Sequence, residues 1–398
     1  MSNRAAAGSQ SSLREANRSL VLQTVQRWGG LTQVELAAAT GLSTATVSNI
    51  VREMYAAGLV DTAATTRSGR RAQLVTLARR LGLAVGVHIG SRHLRIVLGD
   101  FAHAVIAEQS LPLPREHRMD ASLDRVALLV ADLLDRVGAS VSEVVGVGVG
   151  VPAPVDAATG MISVGGVMRG WDATHLGQTL SKRVGCPVQV DNEANVGALA
   201  ESTLGASRNY RDSAFVMASH TTSAGLVIDG KLHRGYAGLA GEIGHIQVDP
   251  QGLICSCGNR GCLNTIVGSD ALLEALRPSR GALSLRDVVQ LAKEGDQGCS
   301  RLVADAGAQI GAVVASLGMV MNPQIVVVGG ELAESGEVLL GPMRTAILRR
   351  MVVNQIAPIE VVPAVLGVRA EVMGALLLAL QAAEVPVMTE AEGEESAS

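Results

Sequence analysis

Aromatic residues, long apolar runs and a leading apolar segment are scarce or absent in this sequence. Only 2% of the 398 residues are aromatic. We therefore do not expect the protein to bind nucleic acid by stacking bases on aromatic side chains. The longest apolar stretch, residues 144–155, contains glycines and prolines and is too short to cross a bilayer. The N-terminus begins Met-Ser-Asn-Arg and has no apolar signal core. We therefore expect a cytoplasmic protein with no membrane partner.

The composition favours a folded chain with two kinds of domain. Hydrophobic residues make up 48% of the sequence, which excludes a mainly disordered protein. The length is sufficient for two or three domains with cores of their own. Residues 1–80 contain ten Arg and four acidic residues, whereas the rest of the chain is acidic overall. Unless this is a chance fluctuation, such a basic segment indicates a polyanionic partner.

The pattern of residues 11–80 is typical of a winged helix-turn-helix. Apolar residues at helical spacing predict a first helix, and Thr32 with Glu35 forms a capping box for a second. A turn at Gly41 and a cap at Ser43 open a third helix. The core face of this third helix is predicted to contain Val47, Ile50, Val51 and Met54.

The predicted DNA contacts lie on the third helix and on the hairpin that follows it. The helix face opposite the core carries small and hydrogen-bonding side chains suited to a major groove, namely Thr44, Ala45, Ser48, Asn49 and Arg52. The hairpin is predicted to pair residues 59–61 with 72–77, leaving 65–71 as its tip. Arginine at such a tip is favoured in a minor groove, and the tip contains Arg67, Arg70 and Arg71. The alternative is a small helical protein-interaction domain, since this geometry also occurs without DNA.

From residue 81 onward the pattern alternates between strands and helices. Strands are expected at 85–89, 94–98 and 103–111, before a helix over 119–137, and a second set of strands and helices begins near residue 214. This order predicts an α/β body of two similar lobes with a cleft between them.

The most specific motif is His245-x9-Cys255-x-Cys257-x4-Cys262. Three thiolates and an imidazole complete the tetrahedral ligand set of a structural zinc. Closely spaced cysteines in a cytoplasmic chain favour metal binding over disulfides. We therefore predict one zinc per chain, the alternative being a group of reduced, buried cysteines. The two remaining cysteines are predicted to be core or bystander thiols, Cys186 and Cys299.

Two further motifs carry polar side chains that suit a small-molecule site. Asp191-Asn192-Glu193-Ala194-Asn195 ends a predicted strand and opens a helix, where amides and carboxylates can bind a polyol. Gly241-Glu242-Ile243-Gly244-His245 adds a carboxylate beside the predicted metal. Taken alone, either motif is equally consistent with helix capping and surface charge.

Together these motifs resemble the ROK family (repressors, open reading frames and sugar kinases), and in particular its regulators with an N-terminal winged helix-turn-helix. The resemblance covers residues 17–383 and includes Gly-Leu-Ser-Thr-Ala-Thr-Val-Ser (41–48), Gly-Val-Gly-Val-Pro-Ala-Pro-Val-Asp (148–156) and Asn-Pro-Gln-Ile-Val-Val-Val-Gly-Gly (322–330). It implies a two-lobed actin-like, ribonuclease-H-like body with a sugar in the cleft. The sugar contacts that it implies are Asn192, Glu193, Glu242 and His245, with Asn264 in place of the family's usual Glu.

The expected domain organisation follows from the pattern and the resemblance together. We expect disordered ends at 1–10 and 385–398, the DNA-binding head at 11–80, a first lobe at 81–202 to which residues 366–384 return, and a second lobe with the zinc site at 203–365.

Three departures from the family pattern bear on kinase activity. Family kinases begin with an Asp-Ile-Gly-Gly-Thr phosphate loop, which is matched here by His88-Ile89-Gly90-Ser91-Arg92. The second loop, Gly-Thr-Gly in kinases, is matched by His220-Thr221-Thr222, and Glu193 replaces the kinase Asp base. Phosphoryl transfer depends on positioning and charge neutralisation, so the loss of both loops predicts that phosphoryl transfer is absent.

The sequence therefore predicts a sugar-responsive, zinc-stabilised transcriptional regulator of carbohydrate metabolism, with repression as the expected direction. Its predicted partners are double-stranded operator DNA and a sugar or sugar phosphate effector. Two-fold symmetric operators require paired heads, so we expect a homodimer or homotetramer. The alternatives are a ROK sugar kinase with an appended DNA-binding domain, and a scaffold whose sugar lobe binds another protein.

Overall fold

The computed structural model describes residues 10–67, 69–114, 117–156, 159–162, 171, 175–351 and 356–385. The expected disordered ends fall almost wholly outside these ranges, because residues 1–9 and 386–398 are not described. Gln10 already belongs to the first helix, so that helix begins one residue before the predicted start.

Three helices and a three-stranded sheet form the N-terminal unit, which we call the head. Its elements are α1 (Gln10–Trp28), β1 (Leu31–Thr32), α2 (Gln33–Thr40), α3 (Thr44–Ala56), β2 (Val60–Arg67) and β3 (Arg70–Leu77). Strand β3 lies between β1 and β2 and is antiparallel to both. The two long strands and the turn between them form the wing. Both strands run further than predicted, so the tip is shorter than residues 65–71.

The predicted helix starts in the head are confirmed. Thr32 and Glu35 form a complete capping box at α2, and Ser43 Oγ accepts a hydrogen bond from the Thr46 amide at 3.1 Å. These side chains satisfy amide groups that a helix start leaves without a partner. The predicted core face of α3 is also confirmed, since its buried residues are Val47, Ile50, Val51 and Met54.

The first lobe is built on a five-stranded sheet. The elements are β4 (Leu83–Ile89), β5 (His93–Asp100), β6 (Val105–Pro112), α4 (Met119–Val137), β7 (Val144–Val151), β8 (Val155–Asp156), β9 (Met161–Ile162), α5 (Leu176–Val184), β10 (Val188–Asn192) and α6 (Glu193–Thr203). The strand order is β10-β7-β4-β5-β6. Strands β4 to β6 are antiparallel, whereas β7 and β10 run parallel to β4. Helices α4 and α5 bury their apolar faces against this sheet.

The second lobe repeats the same strand arrangement. The elements are β11 (Ser213–Ala218), β12 (Thr222–Ile228), β13 (Lys231–His233), α7 (Asn264–Val267), α8 (Ser269–Arg280), α9 (Leu285–Lys293), α10 (Gln297–Met321), β14 (Ile325–Gly329), α11 (Glu337–Arg350) and β15 (Glu360–Pro363). The last helix of the chain, α12 (Ala370–Ala382), follows β15 and returns to the first lobe. The strand order is β13-β12-β11-β14-β15. Strands β13, β12 and β11 are antiparallel to one another in turn, whereas β14 and β15 run parallel to β11. The expected pair of similar lobes is therefore present.

Helix α10 is long and apolar enough, by length and composition, to cross a membrane. In the structure it packs along α11, where Gly307 and Gly311 approach the backbone of Leu339 and Met343. More than half of its most apolar window is buried inside the protein. Its apolar composition is thus explained by its place in the core of the second lobe.

The last helix, α12, packs on the first sheet and crosses α6. A Cβ added to Gly148 of β7 would lie 1.9 Å from the Ala375 carbonyl oxygen. A Cβ added to Gly374 would lie 1.7 Å from the Val196 carbonyl oxygen. Only glycine permits such close backbone approaches, so these residues set the distance of α12 from β7 and α6.

The head shares one apolar core with the body. Val21 and Val25 of α1 belong to the same buried cluster as Leu376 and Leu380 of α12. The Gln26 Nε2 atom donates a hydrogen bond to the Leu380 carbonyl oxygen at 2.7 Å. The base of the head therefore rests on a helix that also forms part of the first lobe.

Candidate functional site

His245, Cys255, Cys257 and Cys262 form a compact cluster. Their ligand atoms all lie within 4.8 Å of one another. The Cys255 Sγ atom is 3.6 Å from His245 Nδ1, and the Cys257 Sγ atom is 3.7 Å from Cys262 Sγ. Two sulfurs bound at about 2.3 Å to one tetrahedral zinc would lie roughly 3.7 Å apart. The cluster therefore has the donor set and the spacing to hold a metal ion.

The chain between His245 and Cys262 is folded so that these residues meet. Gln247 pairs with Cys262 in an isolated antiparallel bridge, which brings the two ends of the segment together. Gly261 has φ +65°, and a Cβ there would lie 1.5 Å from the Asp249 carbonyl oxygen. A side chain at residue 261 would thus open the loop that holds the last cysteine.

The predicted sugar-binding residues line one cavity between the lobes, with a volume of about 960 Å³. The end of β10 and the start of α6 supply two of them, the segment after β13 supplies two, and α7 supplies the last. The five residues are Asn192, Glu193, Glu242, His245 and Asn264. Residues from separate parts of the sequence therefore face a single space.

Asn192 and Glu242 connect the two lobes across this cavity. The Asn192 Oδ1 atom accepts a hydrogen bond from the Ala194 amide and caps α6, while its Nδ2 atom donates to Glu242 Oε1 at 3.5 Å. Burial and the nearby Glu193 carboxylate raise the pKa of Glu242 to about 7. Near neutral pH the Glu242 carboxyl group can therefore accept or donate a hydrogen bond, which suits a ligand hydroxyl.

Asn264 is fixed by its neighbours in the second lobe. Its Oδ1 atom accepts a hydrogen bond from the Thr222 amide at 2.8 Å. Its Nδ2 atom would lie 2.4 Å from a Cβ added to Gly244. This contact leaves no room for a side chain at residue 244. Because Oδ1 is engaged, the Nδ2 group is the part of Asn264 that can donate to a ligand.

His88 and Glu193 form a buried pair that sequence reasoning missed. The His88 Nε2 atom is 2.9 Å from Glu193 Oε2, and both side chains are almost wholly buried. His88 stands where the phosphate loop of a kinase would have Asp. In the second lobe, His220 Nδ1 is 2.8 Å from Ser269 Oγ, and its Nε2 is 3.6 Å from Glu331 Oε2. Imidazoles with side-chain partners thus occupy both phosphate-loop positions.

The predicted DNA contacts remain predictions, but the structure shows how accessible they are. All are exposed except Ser48, which is half-buried. Arg67 is also partly engaged, because its Nε atom lies 3.8 Å from Glu35 Oε1 at the start of α2. The freely exposed members are Thr44, Ala45, Asn49, Arg52, Arg70 and Arg71. They follow one face of α3 and the end of the wing.

Comparison with known protein families identifies the family of the two-lobed body. The model of the ROK family matches residues 84–382. The chain belongs to the ROK family. A model of the MarR family matches residues 15–71, within the head. The fold is therefore a winged helix-turn-helix joined to the two-lobed, actin-like body of ROK proteins.

Several transcriptional regulators are similar to this chain over most of their length. A xylose repressor from Caldicellulosiruptor bescii is 28% identical over 393 residues, covering 94% of this chain and 97% of that protein. The transcriptional dual regulator NagC of Escherichia coli is 31% identical over 351 residues, covering 84% and 85%. A solved ROK transcriptional regulator, a homolog of the E. coli MLC protein, matches with a TM-score of 0.72 at 24% identity, covering 93% and 97%. Solved ROK sugar kinases also match, over about three quarters of this chain.

Proposed function

We propose that this protein is a sugar-responsive repressor that binds operator DNA through its head. The observation that carries the proposal is the polar cavity between the lobes, which is lined by the first residue of α6, a helix that reaches the core shared with the head. The names of the xylose repressor and of NagC support regulation of carbohydrate metabolism. The exposed basic wing and the polar face of α3 support DNA binding.

Helices α6 and α12 provide a physical route from the cavity to the head. Helix α6 begins at Glu193 in the cavity, and its Ala200 belongs to the core shared with the head. Helix α12 begins beside the cleft with the buried Glu371 and carries Leu376 and Leu380 into the same core. A sugar shifts the DNA-binding equilibrium only if it binds one arrangement of the lobes more tightly. Such a shift would move the surface that supports α1.

Zinc is the metal that we propose for the histidine and cysteine cluster. A closed set of one imidazole and three thiolates is typical of structural zinc, which stabilises a fold without entering a reaction. Burial lowers the pKa of His245, which favours the neutral imidazole that binds metal. The cluster would fix the loop that carries His245 beside the polar cavity.

Phosphoryl transfer is not part of the proposed function. The imidazoles of His88 and His220 occupy the positions of both kinase phosphate loops, and each already has a carboxylate or hydroxyl partner. The kinase alternative rests on the body fold, which solved ROK kinases share. Hexose-dependent consumption of ATP by the purified protein would favour that alternative. We also propose a homodimer or homotetramer, because a two-fold operator needs paired heads.

The test of the sugar response is operator binding with and without a panel of sugars. DNA fragments selected by the protein from the source genome serve as operator, and fluorescence anisotropy gives the affinity. One sugar or sugar phosphate is expected to change the affinity by about 5–150-fold. The Glu242→Ala variant should lose this response and keep its sugar-free affinity within about twofold. Asp305→Ala, an exposed change on α10, is the matched control and should keep the response. A panel without any effect on DNA affinity contradicts the proposal.

The test of the wing is the double substitution of Arg70 and Arg71 by Ala. Each phosphate contact contributes about 0.9 to the slope of log affinity against log salt, so the slope should become shallower by roughly 2. Operator affinity should fall at low salt for the same reason. Arg349→Ala with Arg350→Ala removes the same charge from exposed residues at the end of α11 and should change neither quantity. An unchanged salt slope in the wing variant would exclude the wing from DNA binding.

A further inference from the structure

A second, smaller cavity lies beside the polar one, and it is lined by arginine. Its volume is about 160 Å³. Arg92 in the turn before β5 and Arg95 in β5 come from the first lobe, whereas Arg286 at the start of α9 comes from the second. We call this space the arginine pocket. Three guanidinium groups from two lobes thus converge on one small cavity.

The three arginines have no ionic partner within the described part of the chain. No carboxylate oxygen in those ranges lies within ion-pair distance of Arg92, Arg95 or Arg286, and their side chains make no hydrogen bond there. Elsewhere in the protein, exposed arginines such as Arg280 and Arg344 do have carboxylate partners. Guanidinium groups left unpaired at a cavity are suited to bind an anion.

Two of the four carboxylates that line the arginine pocket have imidazole partners. Glu193 is paired with His88, and Glu331 lies 3.6 Å from His220. Burial raises the pKa of Glu371, and burial together with Glu334 raises that of Glu331, while Arg286, Arg95 and Arg92 act on Glu331 in the opposite direction. Glu334 itself is exposed to water. The arginines therefore share the pocket with carboxylates but form no ion pair with them within the described residues.

The arginine pocket adjoins the polar cavity between the lobes. Both cavities are lined by Ser91, Arg92, Glu193 and His220. A ligand whose hydroxyl groups contact Glu242 and the other polar residues could therefore extend an attached group past Arg92 to the remaining arginines. Since guanidinium groups bind phosphate oxygens through paired hydrogen bonds, the attached group best suited to the pocket is a phosphoryl group.

We infer that the effector is a phosphorylated sugar whose phosphoryl group binds Arg92, Arg95 and Arg286 in the arginine pocket. This inference rests on the proposed function and specifies its ligand. Arg92 stands at the last position of the first phosphate-loop match, where a kinase has Thr. The chain has thus replaced a backbone cradle for a nucleotide with side chains that bind an anion.

The arrangement also explains how such a ligand would act on the lobes. Arg92 and Arg95 belong to the first lobe and Arg286 to the second, so an anion bound by all three would join the two lobes. A phosphoryl group bound by arginines of both lobes adds an attraction between them. The phosphorylated sugar therefore binds the closed arrangement more tightly than its parent sugar does, as a shift of the equilibrium requires.

The experiment is isothermal titration of the full-length protein with matched sugars and sugar phosphates. The probes are xylose, glucose and N-acetylglucosamine, each with its terminal phosphate ester, and also inorganic phosphate and ADP. One phosphate ester should bind at least tenfold more tightly than its parent sugar. The Arg95→Gln, Arg286→Gln double variant, which leaves the lining of the polar cavity intact, should lose this advantage and keep the affinity for the parent sugar. Lys293→Gln with Arg301→Gln removes the same charge from exposed sites on α9 and α10 and should retain the advantage.

The possible outcomes separate this inference from the proposed function. Equal affinity for sugar and sugar phosphate, or an advantage that survives in the double variant, overturns the inference. If that parent sugar still changes operator affinity, the proposed function stands without it. Binding of ADP that depends on Arg95 and Arg286 would assign the pocket to a nucleotide and also overturn the inference. If none of the sugars or esters binds or alters DNA affinity, both proposals are contradicted.

Discussion

Replacing Cys257 with Ser should remove the metal from the cluster and strongly destabilise the protein. The serine hydroxyl is a poor zinc ligand, and the other three ligands then hold the metal weakly. Metal binding at such sites contributes directly to the free energy of folding. Because only one loop depends on this cluster, we expect a loss of about 3 kcal/mol or more, with an unfolding midpoint lower by roughly 6–12 °C.

Metal content and thermal unfolding of the same preparation test this expectation. The matched control is Cys299→Ser, since Cys299 is a buried thiol in α10 outside the cluster. The control should lose some stability through its buried hydroxyl and keep one zinc per chain. Full zinc content in the Cys257 variant would contradict the ligand assignment. Untreated wild-type protein filled with a different metal would contradict the choice of zinc.

Substituting Gly374 by Ala is expected to force α12 away from α6. The new Cβ would meet the Val196 carbonyl oxygen at 1.7 Å, and a backbone atom cannot rotate out of the way. Overpacking of this kind costs about 1–3 kcal/mol, and more where backbone must shift. Because the head rests on α12, operator affinity should fall together with the unfolding midpoint.

Gly298→Ala at the start of α10 provides the matched control. A Cβ there would have the Arg280 and Asp296 side chains as its nearest neighbours at 3.4 Å, an ordinary van der Waals distance, and alanine is preferred to glycine in a helix. This variant should be about as stable as the wild type, with unchanged operator affinity. Equal stability of the Gly374 variant and the wild type, measured by thermal or urea unfolding, would show that α12 and α6 do not pack as closely as the structure indicates.

Features that depend on neighbouring residues could be predicted from the sequence. The capping box of Thr32 and Glu35 and the buried face of α3 follow from spacings of three or four residues. The metal cluster was also predictable, because three of its four ligands lie within eight residues and cysteine has few other roles there. The two lobes followed from the order of strands and helices.

Other features could not be predicted, because their residues are distant in the sequence or carry misleading local signals. Helix α11 contains Gly341-Pro342, a pair that normally indicates a turn, yet tertiary packing carries the helix through it. The pairing of His88 with Glu193 joins residues 105 positions apart. The arginine pocket likewise combines two neighbouring arginines with one from the other lobe. Nothing in the local pattern around these residues indicates that they meet.

The apolar core shared by α1 and α12 limits how freely the head could be exchanged between proteins of this architecture. A head cut away near residue 80 would expose Val21 and Val25, and the remaining body would lose the cover of α12 near Leu380. Both fragments would then present apolar surface that favours aggregation. Chimeras intended to give this body a new DNA specificity should therefore keep α1 with its native α12 and replace only the exposed face of α3 and the wing. Recognition of DNA and attachment to the body are thus encoded on opposite sides of the same small unit.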